Sequence, residues 1–107
     1  MIKAVFYKKD GLFKGFRISG HSGYAASGSD IVCAAVSSAG MLAANSVTDY
    51  LLADAEVTAE KNILSLMLGR KTAVTDSAER VINALYDHIV MIAEDYEGRV
   101  KVTVTEV

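Results

Sequence analysis

The sequence predicts an α+β fold: a mostly antiparallel sheet covered by two helices, with the elements in the order β-β-α-β-β-α-β. Three observations predict it. Alternating apolar and polar residues flank an Asp10-Gly11 pair and return at Val100-Lys101-Val102-Thr103-Val104-Thr105. A long alanine-rich apolar stretch starts at Ile31, and a second stretch places Val81, Ile82, Leu85, Ile89, Ile92, Ala93 and Tyr96 at helical intervals.

In chain order, Ile2, Ala4 and Phe6 alternate with Lys3, Val5 and Tyr7, and Asp10-Gly11 is a dipeptide favoured in two-residue type I′ turns, so residues 2 to 19 read as a hairpin. Its return strand runs from Leu12 to Ser19, with Phe16 and Ile18 alternating with Gly15 and Arg17. From Ile31 to about Leu52 the apolar residues run almost all round a helix, and Ala34, Ala35, Ala39, Ala43 and Ala44 let neighbours approach closely. Such a helix is expected to be buried on every side, either between its own sheet and the second helix or against a second subunit in a homodimer. A second hairpin is expected from Glu56–Glu60 and Ile63–Leu68 about a Lys61-Asn62 turn. Asp76-Ser77-Ala78-Glu79 has the spacing of a capping box for the second helix, which should end near Gly98 as its C′ residue. His88 lies at the edge of that helix's apolar stripe and reads as a surface residue. The last strand should turn Val100, Val102 and Val104 to the core.

With 107 residues, 51% of them hydrophobic, the chain is expected to form one domain over residues 1–107 around one core. A formal charge of −2 gives no electrostatic case for non-specific binding of nucleic acid. One cysteine makes no internal disulfide, and with two histidines it is too little for a structural zinc site; no metal and no cofactor is expected, and a reducing cytoplasm suits the chain. The N-terminus lacks the apolar core of a signal peptide, and no apolar run reaches the roughly twenty residues of a membrane span, so no membrane partner is expected.

The segment from Gly20 to Ser37 carries the chemistry. It holds the single cysteine, Cys33, and a histidine, His21, twelve positions earlier across a loop with glycines at 20, 23 and 28. Asp30 precedes a continuous apolar run and fits as a helix N-cap, which puts Cys33 in the first helical turn, where unpaired amides and the helix dipole favour a thiolate. His21 suits the role of its base. Asp30 either only caps the helix or also orients the imidazole. Ser37, one turn after Cys33, shares its helix face and either serves the site or bonds its own backbone. Gly20, Gly23, Tyr24 and Gly28 are candidates for a loop that closes on substrate. Against this stand the ordinary readings, a packed thiol and a strand-end histidine, which leave the glycines unexplained.

Gly20-His21, Gly23-Tyr24-Ala25, Gly28 and Asp30-Ile31-Val32-Cys33-Ala34-Ala35-Val36-Ser37 closely resemble the signature of the ribosomal-processing cysteine protease family, Prp. The resemblance implies a catalytic dyad of Cys33 and His21, a homodimer, and removal of a short N-terminal extension from a large-subunit ribosomal protein in bacteria. The N-terminal segment of that protein is the implied partner. A non-enzymatic, ribosome-associated binding module with a redox-sensitive or packed thiol is the alternative, and a thiol-dependent hydrolase or acyl transferase acting on small esters is a third reading of the same dyad.

Overall fold

The protein, a computed structural model, is described over residues 1–20 and 30–107. Asp10 and Gly11 have φ values of 54° and 80°, the paired positive angles of a type I′ turn, and they join β1 (Ile2–Lys9) to β2 (Leu12–Gly20) as an antiparallel hairpin. The register slips beside the turn, from Tyr7 opposite Gly15 to Lys8 opposite Phe13, so Lys14 is the extra residue of a β-bulge. That slip lets Phe13 and Phe16, three positions apart, both reach the core, which strict alternation does not foresee. Phe6, Phe13 and Tyr86 form an aromatic cluster, with Phe6 5.8 Å from Phe13 and 5.2 Å from Tyr86 between ring centroids.

The second hairpin, β3 (Ala55–Glu60) and β4 (Ile63–Leu68), turns at Lys61-Asn62 with Asn62 at φ 64°, as expected. At its open end Asp54 is a clasp: its carbonyl accepts from Gly69 N–H (2.7 Å) and its carboxylate from Arg70 N–H (2.6 Å). β4 pairs antiparallel with β2, and the last strand, β5 (Val100–Glu106), pairs parallel with β1, giving the sheet order β3-β4-β2-β1-β5. Each neighbouring pair among β3, β4, β2 and β1 is antiparallel; the parallel pair follows because α2 (Thr75–Asp95) carries the chain back across the sheet.

α1 (Ile31–Asn45) and α2 cover one face of this sheet. Val32, Val36, Ala43 and Ala44 of α1 join Ala4, Phe6, Phe16, Ile18, Leu64 and Leu66 of the strands and Ala78, Ile82, Leu85 and Ile89 of α2 in one core. Gly40 permits the close approach: a Cβ there would stand 2.8 Å from Ile18 Cδ1 and 3.0 Å from Leu64 Cδ2. The α1 helix is not buried on every side, however. Leu42 is 70% exposed and Ile31 is exposed too, because sheet and α2 occupy only part of its circumference. α1 also ends earlier than the apolar pattern does, passing into a π-turn over Ser46–Tyr50 in which Leu51 N–H bonds Ser46 O at 2.9 Å, and Leu52 then reverses the chain at φ 56°. Contrary to the expectation from uninterrupted runs, Ile31–Tyr50 is long and apolar enough to cross a membrane by length and composition, since serine, threonine and asparagine interrupt it but only one charge does; its buried residues belong to the core just described.

Three further expectations are corrected. α2 begins at Thr75, so Asp76 lies inside its first turn and caps nothing; the Thr75 hydroxyl oxygen accepts from Thr72 N–H at 2.8 Å instead. Glu79 turns inward, 7% exposed, and pairs with Lys14, the bulged residue of β2. At the far end Tyr96 caps the helix and Gly98, with φ 79°, comes two residues later rather than at C′. Along β5 only Val100 is buried; Val102 is half-buried and Val104 exposed, since among the described residues β5 is an edge strand.

Candidate active site

Asp30 has extended dihedrals (φ −76°, ψ 101°), and its side chain accepts from the Cys33 N–H at 3.0 Å, while its carbonyl accepts from Ala34 N–H at 3.0 Å. It is therefore the N-cap of α1, and it is 5% exposed. The cap settles the place of the cysteine: Cys33 is at N3, half-buried, with its own amide held by Asp30. Of the unpaired amides expected in this first turn, the cap therefore consumes that of Cys33. Helix geometry gives the N–H groups of Ile31 and Val32, at the start of α1, no acceptor within the helix itself.

Cys33, Ser37 and Met41 recur every four residues along α1, so they share one face, and all three line a cavity of about 210 Å³. Its opposite wall comes from the sheet. Ile18, Ser19 and Gly20 contribute the end of β2; Ala59, Asn62 and Leu64 contribute the second hairpin. Gly20 N–H bonds Asn62 O at 3.3 Å, tying the point where the chain leaves β2 to the hairpin turn. Gly20 has φ 88°, and a Cβ on it would lie 2.6 Å from Met1 O, so the glycine is required by the backbone at that point, whatever it does for substrate.

The structure thus brings together Gly20, Cys33 and Ser37 and gives Asp30 its capping bond. His21, Gly23, Tyr24 and Gly28 lie outside the described residues. His88 is exposed and lines a different cavity, of about 520 Å³ between α1 and α2, and a third cavity of about 430 Å³ lies by Gly11 and Arg80. Neither of these holds a cysteine. Met41 and the Asn62 turn are the members of the Cys33 cavity that sequence reasoning missed. Met41 was within reach of it, being eight residues beyond Cys33 on the same face, whereas the hairpin wall depends on β4 pairing with β2.

A family model described as cysteine protease Prp matches residues 1–101. The chain belongs to the Prp family of cysteine proteases. No curated protein matches it. Among solved structures, the ribosomal processing protease Prp of Staphylococcus aureus, in complex with a covalently linked product peptide, superposes with a TM-score of 0.89 at 18% identity, over 98% of this chain and 100% of that one. The same protease with a substrate peptide gives 0.83 at 17% identity, over 98% and 100% of the two chains. SMU.848 from Streptococcus mutans gives 0.85 at 23% identity, over 100% and 96%. At these identities the superpositions establish the Prp-like fold, and the family match establishes the enzyme as a cysteine protease rather than a binding module.

Proposed function

We propose that this Prp-family protein is a cytoplasmic endopeptidase that removes a short N-terminal extension from a large-subunit ribosomal protein, with Cys33 as nucleophile and His21 as base. One observation carries the assignment of the nucleophile: the chain belongs to a family of cysteine proteases and contains a single cysteine, which sits in the first turn of a helix on the wall of a cavity. The ribosomal substrate is supported by the description of the S. aureus relative as a ribosomal processing protease that holds peptide.

In this reading His21 accepts the Sγ proton and the thiolate attacks the scissile carbonyl carbon. The oxyanion forms at the start of α1, where the Ile31 and Val32 amides and the positive end of the helix dipole favour negative charge. His21 then protonates the leaving amine as the C–N bond breaks, leaving a thioester on Cys33, and activates the water that hydrolyses it. Asp30 acts through the cap, which holds Cys33 in place. Ser37, exposed one turn further on, offers a hydroxyl to the bound peptide, and Gly20, Gly23, Tyr24 and Gly28 are the proposed substrate-contacting residues. The exposed apolar part of α1 supports a homodimer.

Mass spectrometry of the ribosomal precursor mixed with this protein tests the reading: a single new N-terminus is expected with the wild type and an intact precursor with Cys33→Ala. Equal cleavage by the two would rule out the thiol.

A further inference from the structure

The cavity at Cys33 continues along α1 to Met41. Eight residues of α-helix separate the two, about 12 Å of rise at 1.5 Å per residue. An extended peptide covers about 3.3 Å per residue, so a substrate lying in this channel with its scissile carbonyl at Cys33 brings its third or fourth residue from the cleaved bond over Met41. The walls there combine apolar side chains, Ile18, Ile63 and Leu64, with Ser19, Glu60 and Asn62 at the end of β2 and the hairpin. Ile18 and Leu64 face the helix from β2 and β4, and Gly40, next to Met41, lets those two side chains press against the helix backbone. Met41 itself is 42% exposed, an unbranched and polarizable side chain that lines this channel. Thioether side chains in such positions adapt to large apolar groups.

We propose that Met41 is a specificity-determining residue: with Ile18 and Leu64 it forms a subsite for a large apolar side chain three or four residues from the cleaved bond. The proposal rests on Cys33 being the nucleophile, which fixes where the peptide is cut relative to the subsite. It assigns the hydroxyl of Ser37, midway along the stripe, to the intervening peptide backbone.

The test uses the full chain and a set of peptides carrying the precursor's cleavage site, each with one position within five residues of the cut, on either side, replaced in turn by Ala, Leu and Phe. For the wild type, kcat/KM is expected to fall about tenfold or more from Leu or Phe to Ala at one position three or four residues away, chiefly through KM. Met41→Ala should flatten the ranking of Leu against Phe at that position and at no other, Met41→Phe should reverse it by occupying the space, and Met41→Leu should restore the wild-type order. Binding of the labelled peptides to Cys33→Ala protein, followed by fluorescence anisotropy, should give the same ranking without turnover. An unchanged ranking in Met41→Ala and Met41→Phe overturns the subsite, as does a dependence confined to the residues adjoining the cut. Cleavage that survives Cys33→Ala overturns the nucleophile instead, and the binding series still decides the subsite.

Discussion

Asp30 and Cys33 share a hydrogen bond, and separating the two roles open to the aspartate requires a substitution that keeps it. Asn caps about as well as Asp, so Asp30→Asn should unfold within a few tenths of a kcal/mol of the wild type, whereas Asp30→Ala should lose about 1 kcal/mol. Chemical denaturation reads both. Cleavage rates then decide the rest: a stable Asp30→Asn protein that has lost most of its activity shows that the carboxylate orients His21, and a stable, active one shows a cap alone. His21→Ala should cut kcat by about 10² to 10⁴ while leaving the unfolding midpoint in place, as removal of a general base does. Gly20 is different in kind. Its positive φ and the nearby Met1 carbonyl mean that Gly20→Ala should cost about 1–3 kcal/mol of stability, seen in the same denaturation curves before any effect on substrate is considered.

At the scale of elements, the bulge in β2 connects two observations that look separate. By slipping the register it sends Phe13 inward with Phe16 and leaves Lys14 to meet Glu79, which α2 presents from a nearly buried position. Removing only the lysine strands a carboxylate that has little water. Lys14→Met should therefore lower stability by about 1–3 kcal/mol in thermal or denaturant melts. The double change Lys14→Met, Glu79→Leu should recover most of that loss, because replacing both partners of an ion pair with apolar groups is often near neutral. A double variant as unstable as the single one would show that the bulge itself, rather than the unpaired charge, had been disturbed. The Cys33 cavity is some distance from this pair along the sheet, so the cost is expected in stability and not in KM.

For the whole molecule the proposed homodimer is tested on the exposed face of α1. Leu42, 70% exposed, lines a groove between α1 and α2 with Ala35, Ala39 and Ala84, an apolar surface of the kind that marks an interaction face. Sedimentation velocity at micromolar concentration is expected to give about twice the chain mass of 11.4 kDa, and Leu42→Glu to return it to the single chain. A species of 11.4 kDa at all concentrations would remove the homodimer from the proposal.

What the sequence determined by itself was largely local. The type I′ turn at Asp10-Gly11, the Asn62 turn and the Asp30 cap were legible because each depends on backbone angles or on a partner within three residues. The placing of Cys33 at the head of a helix followed from that cap. What depended on contacts between distant segments was not legible: the strand order, the parallel pairing of β5 with β1, the bulge that turns Phe13 inward, the diversion of Glu79 from a capping box to Lys14, and the hairpin wall that makes a cavity of the Cys33, Ser37 and Met41 stripe. A stripe on a helix is a fact of periodicity. Whether it faces solvent, a core or a substrate is decided only when the sheet has chosen its order, and that choice is made by burial of the whole apolar face at once.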